Sequence, residues 1–235
     1  MSISPKKTKN NIAIGNDIVD LSDTDSLDIL KNIPFLKRVF TESELNSIQT
    51  SNNSYNEAWG IWAAKESAYK VARQLNNKTI FSPKLYCVDP KNSVVIRDQH
   101  SYQYKKIETT EYVHTVALSR QNSPQSKPKD NLTTDDLSNK IWIKSLPDLM
   151  KDDEIKSIAM NIKAYNEQSQ FCRAYATWIL RNELSLKNGY IHKEFLGPRC
   201  PPELYDEQSK LRGSAISLSH QGHFCAVAIC GDLIK

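Results

Sequence analysis

Asp17, in Gly15-Asn16-Asp17-Ile18-Val19-Asp20, and Glu66 with Lys70, in Trp59-Gly60-Ile61-Trp62-Ala63-Ala64-Lys65-Glu66-Ser67-Ala68-Tyr69-Lys70, are the residues whose types and spacing could do chemistry together. Apolar Ile12 and Ile14 run straight into Gly15, which predicts a short strand over about 11–14 that delivers Asp17 to a sheet edge or mouth. Glu66 and Lys70 stand one helical turn apart among helix formers, so both side chains share a helix face. Two hard oxygen ligands beside one ammonium suit a magnesium-bound diphosphate, because the metal and the cation together neutralise phosphate charge.

Each of these residues also has a plainer reading. On spacing alone, Glu66 and Lys70 are a solvated helix pair contributing at most about 0.5 kcal/mol. Asp17 alone is a turn or capping residue, and Asp20 is assigned to that structural class. Lys65 is either a phosphate contact or an exposed helical lysine. Glu44 either backs up the site through a hydrogen bond or lies on a helix surface. Trp59 and Trp62, at helical spacing, read as core anchors. His114 and His223 read as satisfied turn histidines.

The elements that must position these residues fall into two halves. Residues 121–139 hold Ser, Pro, Lys, Asp and Thr with almost no apolar content, which predicts a linker between a lobe over residues 1–120 and a second over 140–235. Before it, the pattern predicts a strand, helices at about 42–49 and 56–75, then strands near 85–88, 94–97 and 112–118. After it the order recurs: a strand near 141–144, helices near 152–158 and 167–186, and strands near 190–192, 215–218 and 224–229. Tyr112-Val113-His114-Thr115-Val116-Ala117-Leu118 and His223-Phe224-Cys225-Ala226-Val227-Ala228-Ile229 close the two halves alike, which suggests an internal duplication. The expected fold is α+β.

With 235 residues, 39% of them hydrophobic, the chain can bury a real core. No apolar run approaches the roughly 20 residues of a membrane span, and Met1 to Asn11 lacks a signal-peptide core, so the expectation is a soluble protein of the cytoplasm without a membrane partner. The five cysteines (Cys87, Cys172, Cys200, Cys225, Cys230) form no Cys-x-x-Cys pair and read as buried free thiols. A net charge of +4, from 31 Lys and Arg against 27 Asp and Glu, is too balanced for a nucleic-acid-binding protein and suits a phosphorylated ligand or an acidic partner.

Gly15 and Asp17, then Trp62, Ala63, Lys65, Glu66 and Lys70, resemble the Gly-x-Asp and Trp-Ala-x-Lys-Glu-x-x-x-Lys elements of the 4′-phosphopantetheinyl transferase superfamily. Between them, Phe35 to Glu44 is similar to the Phe-x-x-Arg-x-x-Thr-x-x-Glu segment of its holo-acyl-carrier-protein synthase branch. In the second half, Gly197 to Leu204 and Ile216-Ser217-Leu218-Ser219-His220-Gln221-Gly222 resemble the Gly-Lys-Pro and Asn-x-Ser-His-x-Gly segments of the two-lobed enzymes that activate peptide and polyketide synthetases. In those enzymes the Ser-His lobe comes first; here the order is reversed.

The resemblance implies a pseudo-dimer of two similar lobes, monomeric as a chain, with one complete site between them. It implies Mg²⁺ held by Asp17 and Glu66, a phosphate contact from Lys70, and Glu66 or a water it orients as base. Coenzyme A would be the donor, touched by Ser219 and His220, with Arg173, Arg199 and Lys65 as further contacts. An apo acyl or peptidyl carrier protein would be the acceptor. Two-lobed members carry a second acid two residues after the first, where this chain has Val19, so a two-carboxylate site with more water around the metal is expected. The alternative is a non-catalytic relative that binds coenzyme A or a carrier protein.

Overall fold

The computed structural model describes residues 11–23, 28–121, 141–192 and 200–233. Its first half runs β1 (Asn11–Asp20), α1 (Ile33–Val39), α2 (Glu42–Thr50), α3 (Ser54–Leu75), β2 (Cys87–Asp89), β3 (Val94–Arg97), β4 (His100–Glu108) and β5 (Tyr112–Gln121). Its second half runs β6 (Ile141–Ser145), α4 (Leu146–Leu149), α5 (Asp153–Ala159), α6 (Glu167–Asn182), β7 (Gly189–His192), β8 (Glu203–Asp206), β9 (Ser209–Lys210), β10 (Ser214–Gln221) and β11 (Phe224–Gly231). Both halves mix helices with antiparallel strands, so the α+β expectation holds. The expected linker lies outside the described residues except for Gln121, which ends β5.

The first half forms one sheet in the order β1-β5-β4-β3-β2, with β1 on its edge, and the second half forms β10-β11-β6 and a small β7-β8-β9 sheet. α3 covers the larger sheet, and Ala58, Ile61, Ala64, Ala68 and Val71 recur at helical spacing on its buried side. Asn53 starts this helix by accepting the Asn56 N–H, and the Asn76 N–H closes it on Ala72 O. Gly15 lets β1 approach α3: a Cβ there would stand 1.9 Å from Ser67 O, a backbone atom with no room to yield. In the second half α6 covers β10 and β11 through Phe171, Tyr175, Ile179, Ile216 and Val227. A third cluster of Ile14, Val116, Leu118, Ala228 and Cys230 joins β1 and β5 to β11, so the two sheets share a core.

The structure departs from the sequence pattern in identifiable places. β1 continues to Asp20 because Ile18 and Val19 are buried and paired with His114 and Val113 of β5, which places Asp17 within a strand and excludes its turn reading. β4 is unexpected because Ser101, Gln103 and Lys106 carry little apolar signal; only Tyr102 and Tyr104, buried at alternate positions, mark it. α1, α4, β8 and β9 are too short for periodicity to show. α6 stops at Asn182 rather than at Leu186. Cys172, Cys225 and Cys230 are buried as expected, but Cys87 is exposed and Cys200 half-buried.

Candidate active site

Asp17 extends from β1 toward Lys70 of α3 and Ser219 of β10. Its Oδ1 accepts hydrogen bonds from Lys70 Nζ and from Ser219 Oγ, each at 2.9 Å. No donor among the described residues reaches its Oδ2. Lys70 Nζ also donates to Asn16 O at 2.7 Å. The lysine therefore pairs across to β1 and not along its own helix to Glu66, as the spacing had suggested.

Glu66 lies one turn before Lys70 on the same helix face. Burial pushes its carboxyl up to about 7, the nearby Asp17 charge adds to this, and Lys70 pulls the other way. Two carboxylates that repel each other are a donor set that fits a divalent cation, which would remove both the repulsion and the burial penalty. No group of three or more His, Cys, Asp or Glu side chains placed to hold a metal occurs among the described residues, so such a cation would keep water or substrate oxygens in the rest of its shell. Beneath the cluster His114 is fully buried, with Nε2 3.3 Å from Asn16 Nδ2. Burial, then the Lys70 charge, hold its imidazole down to about 3, so it stays neutral; it lies within β5 and not in a turn, and its Nδ1 meets no hydrogen-bond partner among the described residues, which corrects the reading of a satisfied turn histidine.

Lys65 needs correction. It neither contacts the cluster nor faces solvent: its side chain is fully buried and its Nζ lies 2.8 Å from Glu44 Oε1, with further bonds to Tyr86 O at 2.7 Å and Pro83 O at 3.1 Å. All three of its donors are used inside the protein, which removes it from the coenzyme A contacts. Glu44 is likewise neither a surface residue nor a partner of the cluster. It accepts Val88 N–H at 2.8 Å and closes a capping box with Thr41 at the start of α2. The sequence reading missed this pair, although Thr41-Glu42-Ser43-Glu44 carries the capping-box pattern.

Ser219 and His220 separate. Ser217 and Ser219 turn toward β1, where their hydroxyls accept the Asn16 N–H at 2.9 Å and the Ile18 N–H at 3.1 Å. Strand alternation puts His220 on the other face, with Ile216 and Leu218 on the α6 side. Ser219 is thus joined to Asp17, while half-buried His220 is not placed beside it. Arg173 is buried in α6 and donates to Lys163 O at 3.0 Å, and burial lowers its pKa. Among the described residues, no hydrogen bond or ion pair joins it to Asp17, Glu66 or Lys70. Arg199 lies outside the described residues.

A second link between the halves lies at the end of β1. Buried Asp20 accepts Ser22 N–H at 2.8 Å through Oδ1, and through Oδ2 receives His223 N–H at 2.8 Å and faces His223 Nδ1 at 2.9 Å. Gly222, at φ +52°, makes room for that carboxylate: a Cβ there would stand 2.2 Å from Asp20 Oδ2. Asp20 is structural, as the sequence reading has it, and fastens the β10–β11 turn to β1.

Residues 13–124 match the family model described as the 4′-phosphopantetheinyl transferase superfamily. The matched span includes Asp17, Glu66 and Lys70 and stops before Ser219 and His220, so the superfamily pattern is carried by the first half of the chain. A search of curated proteins returns no match. No helix among the described residues is long and apolar enough to cross a membrane.

Proposed function

We propose that this chain is an enzyme that moves the 4′-phosphopantetheine arm of coenzyme A onto a serine hydroxyl of an apo acyl or peptidyl carrier protein and releases adenosine 3′,5′-bisphosphate. The observation that carries this reading is the gathering of Asp17, Glu66 and Lys70 from two separate elements of the span that matches the transferase superfamily. The serine oxygen forms a bond to the pantetheine phosphorus, and the diphosphate P–O bond on that phosphorus breaks, its electron pair leaving with the nucleotide phosphate. The serine proton passes to Glu66 or to a water that Glu66 orients. Asp17 and Glu66 would hold Mg²⁺, whose chemistry when bound is to neutralise charge on the diphosphate. Lys70, anchored by Asn16 O and Asp17, presents its remaining proton to a phosphate oxygen. Such transfer is mainly positioning and charge stabilisation.

His220 is assigned to a coenzyme A phosphate, with Arg173 and Arg199 as further contacts. A pseudo-dimer of lobes over residues 1–120 and 140–235, joined by a linker at 121–139 and acting as a monomer in the cytoplasm, completes the reading. It is supported by the matching strand orders β1-β5-β4 and β6-β11-β10, each with a long helix between its first strand and the rest.

Incubating the protein with coenzyme A, Mg²⁺ and a panel of apo carrier proteins tests the reaction by mass. A gain of one phosphopantetheine on a carrier serine is expected, and no gain on any carrier would sink the proposal. Cutting the chain within 121–139 should leave neither fragment active alone; an active 1–120 fragment would remove the second lobe from the site.

A further inference from the structure

Strand β1 is the edge of its sheet, and one side of it is sealed by side chains in place of a neighbouring strand. The N–H groups of Ile14, Asn16 and Ile18 are accepted in turn by Gln74 Oε1 at 3.1 Å, Ser217 Oγ at 2.9 Å and Ser219 Oγ at 3.1 Å. Gln74 continues the link by donating to Ile216 O at 2.8 Å. The hydroxyls of β10 thus stand where a sixth strand's carbonyls would stand, and Ser219 is the one next to Asp17.

A serine hydroxyl has one proton to donate. Because the Ser219 oxygen already accepts the Ile18 N–H, its proton is directed away from the backbone and onto Asp17 Oδ1. Lys70 donates to that same oxygen. Both donors on Oδ1 fix the carboxylate's rotation and leave Oδ2 as its open oxygen. Ser219 is 5% exposed, so little water can replace it in this role.

We infer that Ser219 is a positioning residue through which the second half of the chain orients Asp17 as a cation ligand, and is not itself a contact for the coenzyme A phosphate. The inference rests on the proposed metal role of Asp17. Groups that hydrogen-bond a metal ligand typically change metal affinity by about 10- to 100-fold when removed.

The test uses the full-length chain, Mn²⁺ as the probe and electron paramagnetic resonance to count free ion, beside steady-state kinetics. Ser219→Ala should keep its melting temperature within a few degrees, weaken Mn²⁺ binding by about tenfold or more, and lower kcat with an unchanged KM for coenzyme A. Ser219→Thr, which keeps the hydroxyl, should recover Mn²⁺ binding. A Ser219→Ala protein that binds Mn²⁺ like the wild type, or one whose KM for coenzyme A alone rises, overturns the positioning role and leaves the metal site standing. A wild-type protein that binds no Mn²⁺ overturns the metal reading and this inference together.

Discussion

Helix α3 carries two lysines, five residues apart in sequence, whose pairs with carboxylates of α2 and β1 do opposite things. Lys65 and Glu44 are 0% and 1% exposed, and their remaining hydrogen bonds go to the backbone of Pro83 and Tyr86 before β2, of Val88 in β2 and of Thr41 at the start of α2. Lys70 and Asp17 are 28% and 14% exposed, and among the described residues one carboxylate oxygen and one ammonium proton are left over. The first pair is closed and can only hold elements together. The second is open and beside Glu66, so it can take a cation or a phosphate. Completeness of hydrogen bonding, and not residue type, separates structure from chemistry here.

The comparison is broken most severely at the open pair. Asp17→Ala or Glu66→Ala should lower carrier modification by more than about a hundredfold, since each would remove a ligand of the proposed Mg²⁺, worth several kcal/mol in the transition state, while the melting curve stays cooperative. Turnover close to wild type in either variant would show that the open cluster is not the reacting site.

At the closed pair the large effect should fall on stability. Lys65→Met leaves a buried carboxylate without its cation and should cost about 3 to 5 kcal/mol in urea unfolding. Lys70→Met, at the half-exposed pair, should cost no more than about 1 kcal/mol and should instead impair transfer. Equal losses of stability in the two variants would erase the distinction.

Glu66 sharpens the comparison through pH. Its folded pKa of about 7 lies above the ordinary carboxyl value of 4.5, so the folded state binds the proton more tightly. Stability is unaffected below the unfolded pKa and falls as pH rises from about 4.5 to about 7, by up to about 3 kcal/mol. Without divalent metal, Glu66→Gln should therefore be more stable than the wild type at pH 8 and no more stable at pH 4. Melting curves whose difference does not change across that interval would show that Glu66 is not held in an unfavourable charge state.

The most narrowly confined effect, on donor binding alone, belongs to His220, which faces away from Asp17. His220→Ala should raise the KM for coenzyme A more than it lowers kcat, by the equivalent of about 1.5 to 3 kcal/mol for one charge-assisted bond. A collapsed kcat at unchanged KM would move the imidazole to the reacting group.

Sequence by itself determined the α+β class and the grouping of Asp17, Glu66 and Lys70 as chemically capable. Helical spacing and the run of apolar residues into Gly15 are local properties, and local rules read them. It also assigned Asp20 to structure, which its bonds to Ser22 and His223 fit. It did not show that Lys65 is buried while its neighbour Glu66 borders the cluster, because helix periodicity gives the angle between two side chains and not what each angle meets. Nor did it show that Ser219 serves Asp17 while His220 turns away, since which face of β10 meets β1 is decided by how two sheets pack around Ile14, Val116 and Ala228. The first rests on contacts about twenty positions apart, as between Lys65 and Tyr86, and the second on contacts some two hundred apart, as between Ser219 and Asp17, and only the tertiary structure brings such residues within hydrogen-bonding distance.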